Sequence, residues 1–147
     1  MGILMGACRS TRQVLILALA VVAFGVGVIA QQTGNGDPEA AKIKNPVTTS
    51  PESIAVGLKT FDTTCAACHG KGGKGGIVLS VIEDKGGTQP PDLTDDKWDH
   101  GSSDGEIFMV VKKGVGPDFF MAPFDGRISD TDIWNTVNYI KSLSQKK

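Results

Sequence analysis

Cys65, Ala66, Ala67, Cys68 and His69 put two thiols and an imidazole within five residues. On one helical turn the two sulfurs project to the same side. Each can add to a haem vinyl group as a thioether, and the adjacent imidazole then reaches the iron through a ring nitrogen. Cys-x-x-Cys-His is the attachment signature of c-type haem. Rival chemistries fit less well. A zinc site needs two further ligands, and His100 is the only other histidine. A thioredoxin-like redox pair needs a βαβ context that the sequence lacks. A disulfide between Cys65 and Cys68 would close too small a ring to constrain the unfolded chain much.

The elements that must position these residues follow an unusual start. Arg9 and Arg12 lead an uncharged run, Val14 to Ala30, that ends in small residues before Gln31 and Gln32. This pattern reads as a secretory signal peptide over residues 1–30. At 17 residues the run is near the lower limit for spanning a bilayer, so an uncleaved N-terminal anchor is the alternative. Cys8 precedes the run and is lost on cleavage, which leaves no lipid-anchor cysteine. The chain carries 15 basic and 16 acidic residues, so loss of Arg9 and Arg12 leaves a mildly acidic protein. Nothing in that balance marks a nucleic-acid binder.

Residues 31–50 are rich in Gly, Pro, Thr, Asn and Gln and read as a flexible linker. Ser50, Pro51 and Glu52 form a helix start. Ile54, Leu58 and Phe61 then predict one apolar face on a helix that runs into Cys65. A glycine-rich loop, 70–76, follows and lacks the spacing of a phosphate-binding loop. Ile77 to Ile82 is an unassigned apolar run, and Lys85 to Asp92 is irregular. Ser103 and Glu106 predict a capping box for a helix that closes at Lys112, Lys113 and Gly114. Ser129 and Asp132 open a last helix with Ile133, Trp134, Val137, Ile140 and Leu143 on its apolar side. Between these helices Phe119, Phe120, Met121 and Phe124 crowd a loop broken by Pro117, Pro123 and Gly126. The expectation is an all-α domain over residues 51–147, with three to four short helices and long loops. Its apolar core is thin for its size, so a bound group must add core volume.

With these features the domain resembles class I cytochrome c, the small soluble monohaem electron carriers. The resemblance covers residues 51 to 145. It rests on Cys65, Cys68 and His69, on Gly57 and Phe61 at four-residue steps before Cys65, and on the placing of Met121. It implies the cytochrome c fold around one covalently bound haem c. It also implies that Gly57 lets the first helix cross the last closely, against an aromatic that Tyr139 or Trp134 would supply. Pro91-Asp92-Leu93 matches the family's Pro-x-Leu segment, whose proline carbonyl accepts from the ligating histidine and whose leucine packs on the haem. Trp98 resembles residues that wall the haem; ordinary packing is the other reading.

His100, Met109 and Met121 are the candidates for the second axial ligand. Met109 falls on the apolar side of its helix, and His100 lies in a polar, acidic segment. The resemblance favours Met121, which sits in the loop before the last helix. Ala122 separates it from Pro123, where the family often has Met-Pro directly. His69/Met121 ligation would saturate the iron and raise its potential. The expected function is therefore electron transfer by a periplasmic, non-enzymatic carrier. Its expected donor is a dehydrogenase or quinol-oxidising complex, and its acceptor a terminal oxidase. A small haem enzyme or gas sensor with an open or labile sixth position is the alternative. Lys71 and Lys74 follow the haem turn, whereas residues 92–106 carry six acids beside Lys97. The partner's charge is not readable from so mixed a surface.

Overall fold

The computed structural model describes residues 36–75, 79–116 and 120–144. The leader-like residues 1–30, with Cys8, and Phe119 of the aromatic loop lie outside the described residues. The fold is all-α. Its helices are α1 (Pro51–Thr64), the single turns α2 (Ala66–His69) and α3 (Ser80–Glu83), α4 (Asp104–Lys113) and α5 (Asp130–Ser144). Among the described residues there is no strand, only an isolated bridge between Val115 and Met121. Nor is any described helix long and apolar enough to cross a membrane.

Local chemistry starts and stops these helices. Ser50 accepts from the Ser53 amide at the head of α1. Ser103 and Glu106 form the full capping box of α4. Ser129 accepts from the Asp132 amide at 3.1 Å at the head of α5. Lys112 and Lys113 then place cations where the dipole of α4 favours them, and Gly114 ends that helix.

The core lies where α1 crosses α5, with α4 completing it. Ile133, Trp134, Val137, Ile140 and Leu143 of α5 are all buried, as its apolar spacing predicts. The buried face of α1 differs from expectation. Ser53, Gly57 and Phe61 point inward, and Leu58 is 39 % exposed. The reason is the crossing itself. A β-carbon on Gly57 would collide with the Asn135 carbonyl oxygen and lie 2.9 Å from Tyr139 Cβ. The glycine must face α5, and that turns Leu58 outward. Tyr139 supplies the aromatic, with its ring 5.2 Å from that of Phe61. Trp134 instead stacks on Phe108 at 3.9 Å.

Residues 36–50 correct the linker expectation. Ala40 is buried in a single 3-10 turn, Ala40–Lys42, whose backbone packs on Gly105 of α4. Asn45 Nδ2 donates to the Trp134 carbonyl and to Asn138 Oδ1, which also accepts from Thr49 Oγ1 at 2.9 Å. Asn138 Nδ2 donates to Ser53 Oγ and to the Val47 carbonyl. Ser53 Oγ donates in turn to Asn135 Oδ1 at 2.7 Å. Polar side chains fix this segment, so its low apolar content does not leave it a flexible linker.

Candidate haem site

α1 delivers Cys65 to the site. Its amide still donates to the Phe61 carbonyl, and its own carbonyl accepts from the Cys68 and His69 amides at 3.1 and 2.9 Å. The turn so formed is α2. It buries Cys65, leaves Cys68 exposed, and neither sulfur is in a disulfide. Burial, with Cys68 beside it, pushes the Cys65 thiol up to about 11. The shift disfavours the thiolate, the reactive form of a cysteine.

His69 follows at the end of α2, its ring 6.4 Å from that of Phe61. Its Nδ1 is buried without a hydrogen-bond partner. Burial lowers the imidazole pKa. The Pro91 carbonyl opposes that shift without reaching hydrogen-bond geometry. A neutral, buried imidazole is the form that binds a metal. An unpartnered buried nitrogen is costly in a finished core. That orphaned atom fits a ring that a bound group would complete and orient.

The glycine-rich loop explains how Pro91 comes so close. Gly75 has φ +64, and a β-carbon there would lie 2.8–2.9 Å from Pro90 O and from Pro91 C and O. Its amide donates to the His69 carbonyl at 2.8 Å. The Leu93 amide donates to the Gly73 carbonyl at 2.6 Å. The loop therefore docks Pro91-Asp92-Leu93 against the histidine turn. By their sequence alone these glycines read only as a loop. Their signal was a glycine run immediately after a histidine, with a Pro-Pro pair downstream.

Leu93, Trp98, Met109 and Met121 are partly buried against the apolar cluster that contains Cys65. Phe124 joins it, and the Phe120 ring packs on Gly87. His100 is exposed and lines an open cleft with Asp37, Glu106 and Lys113. Four of the six acids of residues 92–106 have local work. Asp92 accepts from Thr94, Asp95 from the Lys97 amide, and Glu106 from Ser103, while Asp104 pairs with Lys141 at 3.4 Å.

A Cys-x-x-Cys-His turn on this helical frame defines a cytochrome c domain. Solved structures share the fold. Cytochrome CL of Methylophaga aminisulfidivorans is 25% identical, with a TM-score of 0.51 over 64% of this chain and 55% of its own. A Kuenenia stuttgartiensis reducing HAO-like protein complex chain is 27% identical, with a TM-score of 0.58 over 69% of this chain and 49% of its own. Residues 52–140 match the family described as cytochrome c oxidase, cbb3-type, subunit III, and the chain belongs to that family. Membership implies haem c as the cofactor. Among its relatives, the cbb3-type oxidase subunit FixP of Bradyrhizobium diazoefficiens is 32% identical over 63% of this chain and 28% of its own length. The subunit CcoP of Rubrivivax gelatinosus is 34% identical over 64% of this chain and 27% of its own. The chain thus spans little more than a quarter of the length of these relatives.

Proposed function

We propose that this chain is a monohaem electron-transfer protein that passes single electrons to a terminal oxidase. Cys65 and Cys68 would hold one haem c by thioethers, and His69 and Met121 would ligate its iron. When bound, that group supplies a one-electron iron couple. The chain's own residues do the rest. Burial favours the neutral form of His69, and the nearby Pro91 carbonyl would accept from its ring once a bound group turns it. A Met121 thioether on the iron would favour the reduced metal and leave no position for a substrate. Leu93, Trp98 and Phe124, packed on the core cluster, exclude water. The protein carries out no bond-making chemistry of its own. The observation that carries this reading is the orphaned, buried His69 nitrogen one residue beyond the cysteine pair.

Similarity to oxidase subunits makes a cbb3-type terminal oxidase the favoured acceptor, with a dehydrogenase or quinol-oxidising complex as donor. Residues 1–30 direct the domain to the periplasm, as a cleaved signal or an anchor. The far-red iron–thioether band of the ferric protein tests the ligation. It should be present, and Met121→Ala should abolish it, lower the midpoint potential and admit CO to the ferrous iron. A wild-type protein without the band that binds CO readily sinks the carrier reading. The N-terminal residue of the periplasmic protein separates signal from anchor.

A further inference from the structure

We infer that Gly114 is the positioning residue for Met121. It does this by letting the backbone of the loop pass against the end of α4. The inference rests on Met121 being the axial ligand.

Gly114 follows the last turn of α4 with φ +76 and ψ −179. A β-carbon there would collide with the Met121 carbonyl oxygen and lie 2.8 Å from the Pro123 nitrogen and 3.1 Å from the Ala122 carbon. Directly beyond it, the Val115 amide donates to the Met121 carbonyl at 2.9 Å, and the Met121 amide returns to the Val115 carbonyl at 3.4 Å. Further along, the Phe124 amide is shared between the Val111 and Lys112 carbonyls at 3.2 Å, and the Asp125 amide donates to Lys112 at 3.1 Å. The last carbonyls of a helix have no partner within it. Here the methionine loop satisfies them, and the helix end in return fixes the loop.

This arrangement answers what Ala122 does. A proline ring restrains its own φ and the residue before it. Pro123 therefore stiffens Ala122, not Met121. The Met121 backbone is held from the other side, by the bridge to Val115 that the bare Cα of Gly114 allows. Gly114 acts through the backbone and never touches the iron.

The test uses the holoprotein with imidazole as competing ligand. Gly126 is the control, because it has φ +70 in the same loop and nothing within 4 Å of an added β-carbon. Gly114→Ala should weaken the far-red band and speed displacement of the thioether about tenfold, while Gly126→Ala stays near wild type. Wild-type rates in Gly114→Ala overturn the positioning role and leave Met121 as ligand. Equal acceleration in both glycine variants makes positive φ the cause and also overturns it. A Met121→Ala spectrum identical to wild type instead overturns the ligand assignment, and this inference with it. Should Gly114→Ala not accumulate with haem, amide exchange of the wild-type protein decides. Protection of the Val115 and Met121 amides is expected, and free exchange at both overturns the inference.

Discussion

Gly57 and Asn135 bring α1 and α5 together backbone to backbone, with no room for a β-carbon between them. Alanine at 57 would gain up to about 1 kcal/mol of helix propensity, yet overpacking costs roughly 1–3 kcal/mol. Here the obstacle is backbone, which cannot rotate away, so the clash wins. Gly57→Ala should lower stability by about 1 kcal/mol, seen as a lower denaturant midpoint at unchanged slope. A rise in the midpoint would show that the helices part freely.

Asn138 is the hub that ties residues 45–49 to α1 and α5. Asn138→Ala removes four hydrogen bonds at once, although Asn45 keeps the Trp134 carbonyl and Ser53 keeps Asn135. Its cost should be on the order of 2–4 kcal/mol, since each hydrogen bond lost is worth about 0.5–1.5 kcal/mol. Asn138→Asp keeps the acceptor but sets a buried carboxylate oxygen against the Val47 carbonyl, and should cost at least as much as alanine. Thermal or urea unfolding of the three proteins gives the order.

Lys112 offers a pH test on the surface. It meets both Asp130 oxygens at 2.8 Å and Asp125 at 3.6 Å. The hydrogen bond to Asp130 holds its pKa above the usual lysine value, with the nearby carboxylates adding to the effect. A raised folded pKa gives stability that is fully present below the unfolded value of about 10.4 and is lost as pH rises through the folded value. The Lys112 ammonium should therefore titrate later than other lysines by NMR, and Asp130→Asn should bring it back. An unshifted Lys112 in wild type contradicts the pairing.

Gly75→Ala probes the seat of His69. The variant combines a positive φ with a β-carbon pushed into Pro90 and Pro91. It should cost about 1–3 kcal/mol and reduce the yield of haem-loaded protein. Gly72→Ala, also at positive φ but with nothing within 4 Å, should retain loading. Equal losses in both would trace the effect to backbone strain alone.

The motif-bearing parts of this domain were legible because short-range chemistry sets them. Caps at Ser50, Ser103 and Ser129 mark helix starts whatever the tertiary context. The apolar side of α5 is continuous enough to survive any packing. The inward face of α1 was not legible from hydrophobicity, because a glycine and a serine occupy it and Leu58 does not. Residues 36–50 were missed for a related reason. Asparagine and threonine read as solvent-facing until their partners on α5 are known. Gly75 and Gly114 serve close approaches to residues well along the chain, which no local pattern reveals.

Ser53 and Asn135 bond across a separation of 82 residues. Contacts of such long range reward the chain only after a large loop has closed. During synthesis the cysteine pair is made long before Tyr139, which Phe61 needs for its packing. Cys65, buried in the finished domain, therefore emerges on a chain that cannot yet close its core. Between translation of α2 and arrival of α5 the Cys65 thiol remains as open to covalent modification as Cys68, and the last helix sets when that interval ends.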